Sequence, residues 1–520
     1  MKSDASNQRQ FSCLRRIFFP IYNYELKKVI PMAFIFFFIL TIYSLVRNVK
    51  DSLVVTAPNS GAEVLSFLKL FCVTPSAIIF LIAYARASNS LSREKLFYAT
   101  LTPFILFFGL FAFVIYPHLD FFQPAAERVA SWQAALPRYK WMVAIVGNWT
   151  FSLFYILAEL WGSAIIALSF WQFANQITKI SEAKRHYAFF GLMAQTALLL
   201  SGSLGSSVSK AQASMGANCS GDIWGNSLRW LMGLVVLFGV FIIIIYRWMQ
   251  VYVLTDKRFY DADDPATGAK KSKAKVSLME SLRTIFTSPY LGLIAILVVS
   301  YGMSINFVEA VWKSQLKLQY ANPNEYNLFM SQFTFMTGIV SMVMMFVGGN
   351  ILRIFRWFIA AVITPAILLI LGGLFFAFVL FKSHIDFFIQ HFGADFFTRH
   401  FGPSAKFEAL LLSMAVLFGA IVNVIVKSTK YALFDLTKEM AYIPLDEEMK
   451  VKGKAVVDVL GGRLGKSGGA GFQTMLFILM PGATYFNIAP IVAFAFLVVC
   501  AIWIFSVKRL SHRIESMASR

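Results

Sequence analysis

Twelve stretches of this chain are long and apolar enough to cross a bilayer, and that feature removes nearly every other fold. They run roughly over 29–56, 62–87, 94–116, 140–176, 184–209 and 227–250, then 289–317, 325–351, 354–381, 405–439, 452–480 and 484–508. A crossing takes about 20 apolar residues as a helix, because hydrocarbon offers no partner to backbone N–H and C=O groups. The expectation is therefore an all-α membrane protein with twelve transmembrane helices. Composition agrees. A soluble domain carries about 25% charged residues, whereas this chain has 14%, with 58% hydrophobic residues, so most of its surface must face lipid.

The spans divide six plus six around one polar segment that holds DADDPATGAKKSKAK, Asp261 to Lys275. Charge and small residues mark it as a linker. The expected organisation is a cytoplasmic N-terminal segment 1–28, a six-helix half 29–250, a cytoplasmic linker 251–288, a second six-helix half 289–510 and a cytoplasmic tail 511–520. No signal peptide is read, and Phe11 to Tyr22 reads as a short interfacial helix. With the N-terminus inside, the cytoplasmic segments take about 30 of the 47 Lys and Arg residues and the outside loops about 10. Both termini are thus expected in the cytoplasm. A weak internal repeat supports two halves: SGSLGSS (Ser201 to Ser207) matches GGRLGKS (Gly461 to Ser467) about half a chain later. Parallel six-span repeats are the architecture of major facilitator transporters, which hold substrate near the midplane.

Function is written in the charges inside the spans. Arg47, Lys50, Lys69, Lys427, Lys430, Arg463 and Lys466 all fall within membrane-length stretches. Each costs roughly 2.5–3.5 kcal/mol even on the mildest insertion scale, so each needs a cavity, a buried partner or an anionic substrate. Only Asp51, Glu159 and Glu309 are clear carboxylates at comparable depth. The interior is net positive, as a carrier of a multiply charged anion requires.

Spacing sorts these groups into faces. Arg47, Lys50 and Asp51 share one helical side, and Arg47 either pairs with Asp51 or joins Lys50 in facing the interior. Lys427 with Lys430, and Arg463 with Lys466, are each three apart; Asp435, five beyond Lys430, could neutralise one lysine locally. Lys69 either snorkels to a headgroup or points inward. Glu159 and Glu309, one per half, read as partners of the surplus cations in an empty carrier, with a hydrogen-bonded structural carboxyl as the plainer reading. Arg grips phosphate with two parallel bonds while Lys supplies a mobile point charge, so a mixed set suits a polyphosphate. Tyr43, Trp161 and Trp312 stand near these positions, where a base could stack.

Other chemistries are poorly served. The run GRLGKSGG resembles a P-loop, but the first glycine of that motif would fall on Leu460, and no strand precedes it. Its glycines instead suit close helix packing and hinge-like rocking. The four cysteines and six histidines are scattered, with no metal-ligand spacing and no catalytic arrangement. Catalytic residues, a metal and a cofactor are not expected. A net charge of +20 is common in nucleic-acid binders, yet here the cations sit mainly between apolar runs, as membrane topology demands.

Longer motifs point to a family. RNVKDSLVVTAPNSGAEVLSFLKL, AELWGS, FWQFANQIT, SINFVEAVWKSQLKLQYANPNEYN, KSTKYALFDLTKEMAYIPLDEEMKVKGKAVVDV and LGKSGGA closely resemble the ATP/ADP translocases of obligate intracellular bacteria and plastids. The resemblance runs from Leu26 to the twelfth span. It implies a major-facilitator-like fold and exchange of external ATP for internal ADP. It also implies functional roles at Lys69, Glu159, Glu309 and Lys466. The remaining expectations follow: ATP and ADP as substrates, lipid as the surrounding partner, no nucleic acid, function as a monomer, and a multi-pass place in a bacterial inner membrane. Sister proteins of that family move other nucleotides or couple to protons. A proton-coupled importer of nucleotides or other organic anions is therefore the alternative, with Glu159 or Glu309 as the proton site.

Overall fold

The computed structural model describes residues 21–216, 222–256, 288–385, 403–446 and 461–518, with isolated residues at 389, 391, 399, 449 and 457. Residues 11–20 of the interfacial helix read at Phe11 to Tyr22 and most of the linker fall outside the described residues, and Tyr22 itself is extended. Every regular element among the described residues is helical, with no strand. Eleven helices are long and apolar enough to span: α1 Asn23–Thr56, α2 Val64–Ser90, α3 Arg93–Phe122, α4 Trp149–Ile177, α5 Arg185–Met215, α6 Ile223–Tyr252, α7 Pro289–Gln319, α8 Pro323–Ile354, α9 Trp357–Ser383, α10 Ala405–Ala441 and α12 Tyr485–Met517. Between the last two lies α11, Gly462–Leu479, the helix of the expected eleventh span.

Local chemistry sets the helix ends. Ser288 accepts a hydrogen bond from the Leu291 N–H at 3.4 Å, and Pro289 occupies the first turn of α7, where a missing N–H costs nothing. Asn322 and Pro323 repeat the device at α8, the Asn322 side chain accepting from Asn324 N at 2.8 Å. Asp222 opens α6 through Gly225 N at 2.9 Å.

Several helices widen where candidate residues sit. α2 passes through a π-helical stretch, Leu68–Val73, that contains Lys69; α4 does so at Gly162–Phe170, just past Glu159; α10 does so at Lys430–Phe434. Such turns bond i to i+5, strain the ladder and recur at functional positions. Two hydroxyls reinforce them: Thr74 Oγ1 donates to the Lys69 carbonyl at 2.8 Å, and Ser169 Oγ to the Ala164 carbonyl at 2.9 Å.

By internal packing the chain forms two units. One holds Met1–Asn48, Ala77–Pro117 and Leu157–Ser272; the other holds Val49–Ser76, His118–Ile156 and Lys273–Arg520. The division passes through α1, α2, α3 and α4, so the second unit includes the ends of α1 and α3 and the starts of α2 and α4 alongside α7 to α12. Inside the second unit α7 and α11 come into backbone contact at Gly302 and Gly465. A Cβ on Gly302 would stand 2.9 Å from the Gly465 Cα, so only glycine fits this crossing.

Candidate functional site

The second unit contains an alternating row of charge. Lys50 Nζ lies 3.0 Å from Asp51 Oδ1, Lys313 Nζ lies 2.8 Å from Asp51 Oδ2 and 3.2 Å from Glu309 Oε1, and Lys427 Nζ lies 3.6 Å from the same Glu309 oxygen. The row crosses from α1 to α7 to α10, joining helices that are far apart in sequence. Glu309 and Lys313 are four residues apart on α7, the spacing that stacks side chains on one helical face.

Aromatic groups enclose the row. The Lys50 ammonium stands 3.9 Å from the centre of the Tyr155 ring, and the Lys427 ammonium 5.1 Å from that of Phe333. Such faces attract cations. Tyr326 is fully buried within electrostatic reach of Asp51 and Glu309, with no hydrogen-bond partner for its hydroxyl among the described residues.

Exposure grades along the row and decides what a ligand can reach. The side chains of Lys313 and Asp51 are 3% and 1% exposed, those of Lys427 and Glu309 17% and 14%. Desolvating a charge costs several kcal/mol, so the sealed end persists only because each charge there has an opposite partner. The Lys427 end alone is open to an incoming anion.

A second buried network lies in the same unit. Glu63 Oε1 accepts from the Tyr485 N–H at 3.1 Å, so a carboxyl preceding α2 caps the start of α12. Gln473 of α11 accepts from Tyr485 OH at 2.6 Å and from Ser66 Oγ at 3.0 Å, and its amide donates to Asn306 Oδ1 at 3.2 Å. Lys317 donates to the Ser60 carbonyl. Trp141 Nε1 donates to Ala483 O at 3.1 Å, and Gly482, at φ 79°, donates its N–H to Pro137 O at 3.2 Å.

The other candidates are placed as follows. Lys69 is half-buried one turn beyond Ser66, and Lys466 is exposed on α11. The Arg463 backbone belongs to α11, and its side chain lies outside the described residues. Lys430 is bound to Asp435 at 2.6 Å. Arg47 and Glu159, both half-buried, belong to the first unit. Trp161 and Trp312 are fully buried and spend their indole N–H on the Ile39 carbonyl at 3.1 Å and the Val416 carbonyl at 2.9 Å, which leaves them no face for a base. Tyr43 stays partly exposed.

The first unit has an ionic cluster of its own, with Lys28 on Glu182 at 2.8 Å and Arg185 paired with Glu25. Among the described residues no group of three or more His, Cys, Asp or Glu side chains is placed to hold a metal ion.

Sequence reasoning missed Lys313, the middle of the charged row. It lies in the last turns of its span, where it counts as one more cation near the outer surface. The signal that could have found it was Glu309 four residues earlier.

Comparison with known proteins gives a consistent result. The sequence profile of the family described as TLC ATP/ADP transporter matches residues 4–514. The chain is 46% identical over 506 residues to the ADP,ATP carrier protein 1 of Chlamydia muridarum, covering 97% of this chain and 92% of that one. It is 43% identical over 521 residues to the ADP,ATP carrier protein 1 of Rickettsia prowazekii, covering 100% and 99%. Among solved structures, a bacterial homologue of the iron transporter ferroportin in its inward-facing state aligns with a TM-score of 0.55 at 12% identity, over 92% of this chain and 99% of that one. That likeness is one of fold, and the fold is major-facilitator-like.

Proposed function

We propose, from the premise that this chain belongs to the TLC ATP/ADP transporter family, that it is a membrane antiporter which takes up external ATP in exchange for internal ADP. The observation that carries this reading is the row of three lysines and two carboxylates joining α1, α7 and α10. A dry interior with more cations than anions resists rearrangement while empty, because each uncompensated charge must be desolvated. A nucleotide supplies the missing negative charge, and the loaded protein can then rock between its two open forms. A carrier that turns over only when loaded exchanges rather than accumulates.

In this reading the phosphates are held by Lys69, Lys466, Arg463 and Lys427, with Arg47, Lys50 and Lys430 adding positive potential. Glu159, Glu309 and Asp51 balance those cations when nucleotide leaves. The moving bodies are the six-helix halves 29–250 and 289–510, both termini face the cytoplasm, and the protein resides as a monomer in a bacterial inner membrane. The relatives from Chlamydia and Rickettsia, named ADP,ATP carriers, support the substrate pair and the bacterial setting.

The test is uptake of radiolabelled ATP into liposomes carrying the purified protein. Liposomes preloaded with ADP should take up ATP at least ten times faster than empty ones. Equal rates, or uptake driven by a proton gradient into empty liposomes, would remove the exchange reading in favour of proton-coupled import.

A further inference from the structure

Lys313 has a carboxylate of the charged row on either side. Its ammonium offers three donors, and its two ion pairs run to different helices, 2.8 Å to Asp51 on α1 and 3.2 Å to Glu309 on α7. Resting on the exchange reading above, we propose that Lys313 is the positioning residue that couples nucleotide occupancy to movement: it ties α1 to α7 in the empty carrier and yields that tie when phosphate engages the open end of the row.

The order of events follows from exposure and distance. An anion reaching the row meets Lys427 first, because that end is accessible while Asp51 and Lys313 are sealed. The Lys427–Glu309 contact is 3.6 Å, longer than a charge-assisted hydrogen bond, so a phosphate oxygen at shorter range displaces it. Glu309 then has Lys313 as its remaining lysine in the row, one turn along the same helix. The ammonium that Asp51 and Glu309 shared shifts towards Glu309, and the bond between α1 and α7 weakens. Loss of phosphate reverses each step. No proton need move and no covalent bond changes.

The arrangement offers a clean perturbation. Removing the Lys313 charge leaves Lys50 with Asp51 and Lys427 with Glu309, one cation and one anion in each pair. The variant Lys313→Gln therefore strips out the link without leaving a carboxylate alone in the interior. It also lowers the net charge of the row, so the empty protein loses its main obstacle to rearrangement.

The experiment measures ATP uptake into ADP-loaded and empty liposomes, together with equilibrium ATP binding, for the unsubstituted protein, Lys313→Gln and Lys313→Arg. Lys313→Gln should bind ATP within about threefold of the unsubstituted protein. Its ratio of exchange to net uptake should fall at least tenfold, because the empty carrier now returns unaided. Lys313→Arg keeps the charge and both carboxylates in reach, so it should keep the high ratio. Should Lys313→Gln not fold, Lys313→Met fills the same volume and carries the same readout. An unchanged ratio in a folded, active neutral variant overturns the proposal. So does a loss of ATP binding with the ratio preserved, which would make Lys313 a phosphate ligand. Equal uptake by the unsubstituted protein into loaded and empty liposomes removes the exchange reading itself, and this inference with it.

Discussion

The crossing of α7 and α11 gives the sharpest test of how the backbone positions the site. In Gly302→Ala the added methyl would stand 2.9 Å from the Gly465 Cα, 3.0 Å from its carbonyl carbon and 3.1 Å from the Lys466 nitrogen, where ordinary contact begins at 3.4 Å. All three are backbone atoms, so no side chain can swing aside. α11 must retreat by roughly 0.5 Å at the residue that carries the Lys466 ammonium. Overpacking of this kind costs about 1–3 kcal/mol, partly offset by up to about 1 kcal/mol from replacing a helical glycine. With that offset in full, the net loss should be up to about 2 kcal/mol. ATP binding should weaken about threefold to tenfold, part of the worth of one charge-assisted contact. Gly462→Ala is the matched control, since a methyl there meets nothing within 4 Å on the same helix. It should be neutral or slightly stabilising. The melting temperature in detergent and the concentration dependence of ATP exchange read both effects. If Gly302→Ala matches Gly462→Ala in both, the crossing is not tight and Lys466 does not depend on it.

Three further outcomes follow from the same structure. Lys69→Ala and Lys466→Ala should each weaken ATP and ADP binding by about 30-fold, or about 2 kcal/mol; unchanged affinity in isothermal titration would show that these lysines serve lipid or packing. Glu159→Gln and Glu309→Gln should cut exchange at least tenfold while equilibrium ATP binding holds or tightens. A variant of either that binds poorly yet cycles normally at saturation would make that carboxylate a recognition group. Burial pushes the Glu63 carboxyl, just before α2, above the usual range, so its ionised form is a cost to the folded state. That cost is relieved as pH falls through the raised value and is full above it. Glu63→Gln keeps an acceptor for the Tyr485 N–H, so its melting temperature at pH 8 should equal or exceed that of the unsubstituted protein. A clear fall there would show that the ionised cap is needed.

The membrane helices were legible because hydrophobic length is a property of single segments. Eleven described helices meet that criterion, and α11 falls short because five glycines in its first ten residues, with Arg463, Lys466 and Gln473, dilute its apolar character. Contacts between helices left no comparable trace. Asp51 has Arg47 at a helical spacing on its own span, and nothing in that spacing points to the pairs it makes with the adjacent Lys50 and with Lys313 on another helix. The Glu63 cap on α12 joins residues 422 positions apart, and neither flanking sequence contains a pattern that requires the other. Such pairs are chosen by packing, which hydropathy does not encode.

The wide turns show why faces drawn from a regular helix mislead at this site. Residues five apart on an α-helix point about 140° apart, which would set Asp435 well round the helix from Lys430. The π-helical stretch Lys430–Phe434 bonds i to i+5 and brings the two nearly over one another, at 2.6 Å. Local pairing at Lys430 is thus a product of the strained turn. It also ranks the cations. Lys430 must leave Asp435, and Lys50 must leave Asp51, before either can hold a phosphate. Lys466 is exposed with no hydrogen bond or ion pair among the described residues, so it can bind at no such cost. Positive charge in the spans therefore divides by what each cation must give up, and a nucleotide should engage the cheapest first.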